Sequence, residues 1–186
     1  MKNLLLLVFA AILLVATSSA QKYFTKTGKI NFDATAASSP EKIEGINRSV
    51  TCVVDTKTGH MQFAVLMKGF EFERALMEEH FNENYIESDK FPKAEFKGSI
   101  VGNDKVIYAK DGTYTVKVKG QLTMHGETKE VETEGQLTIQ AGKINAIADF
   151  SVSLADFKVS IPGLVADKVS KTAKISVVCA LEPLKG

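Results

Sequence analysis

The sequence predicts an all-β protein, an antiparallel up-and-down β-barrel of about eight strands with one short helical insertion. Three observations carry that reading. Apolar and polar residues alternate with a period of two along most of the chain. Short breaks rich in Gly, Asn and Asp join these stretches as hairpins, which makes an antiparallel meander. Such a meander leaves two open edges, and closing into a barrel removes both. A two-sheet sandwich would satisfy the same periodicity.

The first twenty residues stand apart. Met1-Lys2-Asn3 is a short basic start, Leu4 to Ala16 is an unbroken apolar run, and Thr17-Ser18-Ser19-Ala20 ends in small residues. That order is a secretory signal peptide over residues 1–20. The apolar run falls short of the roughly 20 residues that span a bilayer. No cysteine follows Ala20 directly, which argues against a lipid anchor. The expected mature part, residues 21–186, is long enough for one domain with a real core.

The elements follow in order. Lys29 to Ala34 is the first strand and Glu44 to Asp55 the second, with Val50, Cys52 and Val54 on one face. Asp55 to Gly59 turns the chain into a third strand, His60 to Lys68, with Met61, Phe63, Val65 and Met67 aligned. From Glu73 the pattern changes: Leu76, Met77, His80, Phe81 and Tyr85 recur at helical spacing, a helix of two to three turns. Glu78, Glu79, Asn82 and Glu83 fall on its wet side. Pro92 disfavours helical geometry at Phe91, and Ala94, Phe96, Gly98 and Ile100 resume alternation. Lys105 to Ala109 reads as a further strand, closed by a hairpin signal at Lys110 to Thr113. Long strands then follow around Tyr114 to Met124, Val131 to Ile139, Ile144 to Val152 and Lys171 to Leu181.

Composition excludes several functions. Without Lys2 the formal net charge falls from +1 to zero. Arginine occurs only at 48 and 74, so the concentrated positive charge that nucleic acid needs is missing. His60, His80 and His125 form no metal-ligand spacing with each other or with cysteine, and no nucleophile elbow or phosphate loop is present. The expectation is a protein without catalysis, metal or cofactor. Asn47-Arg48-Ser49 matches a glycosylation sequon, a pattern short enough to arise by chance. Cys52 and Cys179 fit either one bridge or two packed thiols.

The aromatics carry the binding argument. Phe32, Phe63, Phe70, Phe72, Phe81, Tyr85, Phe91, Phe96 and Phe150 concentrate before and through the insertion. Core filling is their ordinary role. An eight-stranded barrel, however, is just wide enough to be filled by side chains or to hold one small ligand. An apolar lining would accept a lipid tail, at about 0.8 kcal/mol per buried methylene. His80 reads either as a polar contact at the mouth or as an anchor for the helix.

The chain resembles the YceI-like family of polyisoprenoid-binding proteins with a lipocalin-like barrel. The resemblance rests on Leu76-Met77, His80-Phe81-Asn82, Tyr85, Phe91-Pro92, Phe96 and Gly98. It continues through Val118, Gly120, Leu122 to Gly126 and Lys129, and through Asp156-Phe157 before Ile161-Pro162. The first strand departs from the commoner pattern, since Lys29 to Asp33 holds no histidine. The resemblance implies a periplasmic or secreted protein that binds an isoprenoid, quinone-like or fatty amphiphile for transport or storage. The expected contacts are Phe32, Phe63, Val65, Met67, Phe70, Phe72, Leu76, Met77, His80, Phe81, Tyr85, Phe96, Leu122 and Phe150. A stress-related scaffold with a filled barrel is the alternative, and a homodimer is compatible with the sequence.

Overall fold

The computed structural model describes residues 22–184, and the signal-peptide reading falls outside them. Nine strands form one antiparallel sheet: β1 (Lys22–Thr35), β2 (Glu44–Asp55), β3 (His60–Leu66), β4 (Phe70–Phe72), β5 (Lys93–Val101), β6 (Gly112–Met124), β7 (Glu127–Gln140), β8 (Lys143–Ser153) and β9 (Val169–Pro183). β1 pairs with both β2 and β9, so eight strands close into a barrel. Short β4 continues the line of β3 along β2 after a 3-10 turn at Met67–Gly69. Closure leaves no long edge for another chain to pair with.

The meander sorts its connections to two ends. Tight links at 56–59, 102–111 and 141–142 gather at the bottom. The top receives 36–43, the stretch from Met67 to Pro92, the His125-Gly126 hairpin and the 154–168 connection. The insertion begins as helix α1 (Ala75–His80) and widens into a π-helical turn at Phe81–Tyr85. Asn82 does not face water as its helical position suggests. Its Nδ2 donates to the Glu78 carbonyl at 2.9 Å, and its Oδ1 is buried without a hydrogen-bond partner. Glu78 likewise turns back, accepting from the Phe72 N–H at 3.4 Å.

The expected strand at Lys105 to Ala109 does not form. A 3-10 turn occupies Asn103–Lys105, and β6 begins only at Gly112. The reason is topological. β5 already pairs directly with β6, Val101 opposite Lys117, so an extra strand would find no free edge. The segment instead folds under the barrel, burying Val106, while Asn103 donates to the Thr56 carbonyl and accepts from Tyr108.

Inside, the two ends differ. Cys52, Val54, Ile139, Ile144 and Leu181 are fully buried and pack the lower barrel solid. Cys52 on β2 and Cys179 on β9 are free thiols that hydrogen-bond each other across the intervening β1. A register shift in β1 between Thr25 and Gly28 accompanies this approach. A Cβ at position 28 would stand 2.6 Å from the Cys179 sulfur, so only glycine leaves the thiols room. Asn47 is also fully buried; its Nδ2 donates to the Leu66 carbonyl and its Oδ1 accepts from the Ser49 N–H, both at 2.9 Å.

Candidate functional site

The upper barrel is hollow, and the sequence explains why. Along β6, β7 and β8 the inward row includes Gly120, Gly135, Ala146 and Ala148, small residues on adjacent strands. The Phe96 ring lies over Gly98 and Gly120, where a Cβ would come within 2.6 and 2.7 Å of it. Gly135 and Ala148, paired across β7 and β8, stay uncovered. The wall there is bare, and a cavity of about 440 Å³ results. That lies within the roughly 300–1,000 Å³ of ordinary ligand pockets.

All fourteen side chains proposed from the sequence line this cavity. Phe32 comes from β1, Phe63 and Val65 from β3, and Met67, Phe70 and Phe72 from the 3-10 turn and β4. Leu76, Met77, His80, Phe81 and Tyr85 come from α1 and the π-helical turn, Phe96 from β5, Leu122 from β6 and Phe150 from β8. Phe81 is the hub of the roof, with ring centroids 5.8 Å from Phe32, 5.5 Å from Phe70 and 4.9 Å from Phe72. Phe63 and Phe96 meet at 6.1 Å lower down. Sequence reasoning missed the β9 face of Ala173, Ile175 and Val177, and Val165 in the 154–168 connection. The β9 alternation was visible; nothing in it told which face a ligand would see.

Most polar groups sit at the opening; of those on the strands, Glu95 pairs outward with Lys93 and Gln136 is exposed. Glu41, Arg74, His80, Tyr85 and Lys168 border the cavity, and each comes from a top connection or the end of α1. Glu41 and Arg74 form an ion pair. Burial raises the Tyr85 phenol above its ordinary value. Deeper in, the Thr133 hydroxyl is already spent on the Asp149 and Glu134 carbonyls. The interior therefore offers a ligand dispersion and the hydrophobic effect, with polar contact reserved for the rim.

A ring of contacts frames that opening. Arg74 reaches Glu41, and the Ser38 hydroxyl donates to the Asp167 carbonyl at 3.0 Å. On the far side His125 joins the Phe157 carbonyl through Nδ1 at 2.8 Å and Glu87 through Nε2 at 2.9 Å. The Phe91 ring stands edge-on to the imidazole at 4.7 Å. The anchoring histidine of the roof is thus His125. His80 is exposed on the rim, and its side chain makes no hydrogen bond among the described residues.

The architecture defines a one-ended, apolar-lined β-barrel: solid below, hollow above, polar at the mouth. The chain matches the YceI-like domain over residues 12–181 and belongs to that family. A polyisoprenoid-binding domain from Saccharophagus degradans, implicated in plant cell wall breakdown, is similar in fold. It has a TM-score of 0.76 at 14% identity, covering 89% of this chain and 99% of that one. BcnA of Burkholderia cenocepacia gives 0.66 at 14% identity over 83% and 95%. The YceI protein of Campylobacter jejuni gives 0.54 at 14% identity over 75% and 85%. No curated protein matches the chain. Among the described residues, no helix is long and apolar enough to cross a membrane, and no cluster of His, Cys, Asp or Glu could hold a metal ion.

Proposed function

We propose that this protein holds one long apolar ligand, a polyisoprenoid, quinone-like or fatty amphiphile, non-covalently in its upper barrel. The tail points toward the floor near Met61, Val116 and Leu137, and the head group rests at the rim beside Arg74, His80 and Lys168. The observation that carries this reading is the cavity itself, about 440 Å³ and closed at the bottom. At about 0.8 kcal/mol per methylene, a tail of several isoprene units offsets an association cost of roughly 4–15 kcal/mol. The binding named for the Saccharophagus domain supports the same ligand class. The role is carriage or storage in an exported compartment, without catalysis. A filled-barrel scaffold would have no use for the bare wall at Gly135 and Ala148.

Native mass spectrometry of protein purified from its own host tests this. The expected spectrum shows one lipid per chain, removed by solvent extraction. Protein that carries no lipid and takes up no prenyl alcohol after extraction overturns the reading.

A further inference from the structure

Two exposed leucines flank the mouth. Leu164, in the 154–168 connection, is 92% exposed, and Leu76 on α1 is 61% exposed. Leu66, at the upper end of β3, is as exposed as Leu76 but does not border the cavity, and neither do Val101, Ile107, Val178 and Leu184. Ile147 pairs with Val178 on the outer face of β8 and β9, away from the opening. The rim pair differs by position. Leu76 itself and Val165, the neighbour of Leu164, both border the cavity.

The Leu164 tip is built to project. It belongs to the apolar run Ile161-Pro162-Gly163-Leu164-Val165, closed by local hydrogen bonds from the Val165 N–H to the Pro162 carbonyl and from the Lys168 N–H to the Val165 carbonyl, both at 3.0 Å. Its flanks are fixed to the barrel: Phe157 is buried on one side, and the Ala36 N–H donates to the Lys168 carbonyl at 2.9 Å on the other. A held apolar tip beside an apolar cavity marks a surface that meets an apolar phase.

We propose that the open end of the barrel docks on a lipid bilayer, with Leu164 and Leu76 dipping into its surface, so that ligand passes between membrane and cavity without crossing water. This rests on the reading of the cavity as a lipid site, because the other residence of such a ligand is a bilayer. The leucines stand on two separate connections that both border the opening, which suits a deformable surface better than a rigid protein face. Charge at the lips is mixed with a small acidic excess at Glu73 and Glu79, which disfavours an anionic surface. Arg74 is paired with Glu41 and Lys42 with Glu44, Glu73 and Glu79 are exposed beside α1, and Asp167 adjoins Lys168. The matching surface is a neutral, zwitterionic one of the phosphatidylcholine type.

The chain contains no tryptophan, so Leu164→Trp places a single reporter on the tip. Phosphatidylcholine vesicles should shift its emission to the blue. In parallel, a fluorescent prenol moves between donor and acceptor phosphatidylcholine vesicles at a rate that rises with acceptor concentration. Leu164→Ser slows this transfer on the order of tenfold, the effect of withdrawing one leucine from an apolar medium. Its affinity for prenol delivered from cyclodextrin stays that of the wild type. A chain that binds prenol from cyclodextrin while the indole stays in water overturns docking and spares the lipid site. A chain that binds no prenol at all overturns both. Emission that shifts only with anionic vesicles contradicts the neutral surface. Transfer that stalls with vesicles of every composition points the lips to a protein partner and overturns the proposal.

Discussion

His125 and Glu87 meet at the top of the barrel, the imidazole Nε2 2.9 Å from a carboxylate oxygen, although 38 residues separate them. The other ring nitrogen faces the Phe157 carbonyl, which can only accept, so the ring bridges three connections at once. The hydrogen bond from His125 holds the Glu87 carboxyl below its ordinary value, with Lys90 adding to the effect. A carboxyl with a depressed folded pKa stabilises fully above its unfolded value near 4.5, and that contribution is lost as pH falls through the folded value. Wild-type melting temperature should therefore drop on acidification below that point, and Glu87→Gln should show a shallower drop. Equal slopes for the two proteins would contradict the bridge.

His125 itself has a positive φ of 50° in its turn. Asparagine tolerates that backbone, so His125→Asn removes the ring and keeps the turn. Losing two hydrogen bonds from a largely buried side chain costs roughly 1–3 kcal/mol, read by chemical denaturation. Hydrogen exchange should rise in 86–92 and 154–159 together. A change confined to the hairpin would separate the three connections.

Phe81→Ala empties the hub of the roof. At 6% exposure among three rings, the truncation costs roughly 3–5 kcal/mol. It should also speed ligand release, because the roof loses its grip on Phe32 and Phe72. Release at the wild-type rate would place the exit elsewhere.

The sulfur pair predicts a redox response. Hydrogen bonding to Cys179 and burial push the Cys52 thiol up, while the bond from Cys52 draws Cys179 down, so one sulfur is favoured as the thiolate that attacks. Refolding in a glutathione redox buffer should join the two sulfurs, with two protons and two electrons passing to the oxidised glutathione. The product then has no alkylatable thiol after denaturation. Gly28→Ala presses on the Cys179 sulfur and should cost roughly 1–3 kcal/mol by overpacking. Two free thiols after oxidative refolding, in a chain that is otherwise native, would show that the contact cannot close.

Much of this was legible in the sequence. Alternation placed Met61, Phe63, Val65 and Met67 on one face, and they do line one cavity. Helical spacing located α1 and the π-helical turn, although the turn stops at Tyr85, well short of the proline expected to limit it. What stayed hidden depends on chain segments meeting. His125 shows no role in local spacing because its partners lie in two other connections. Lys105 to Ala109 looked strand-like because local pattern does not reveal that the barrel is already closed beside it. The Asn47 sequon was a local match as well. The fold buries that amide against Leu66, so a glycan there is incompatible with the native chain. Gly135 and Ala148 are ordinary small residues until the pairing of β7 with β8 stacks them into a bare wall.

That wall gives the most direct test of the lipid site. Ala148→Phe fills the space beside Gly135 and points into the cavity rather than into the packed floor. Equilibrium titration with a fluorescent long-chain prenol compares this variant with the wild type, with circular dichroism showing that both are folded. The wild type should bind saturably, one to one, and the folded variant at least tenfold more weakly, about 1.4 kcal/mol. Equal affinity in two folded proteins would contradict it.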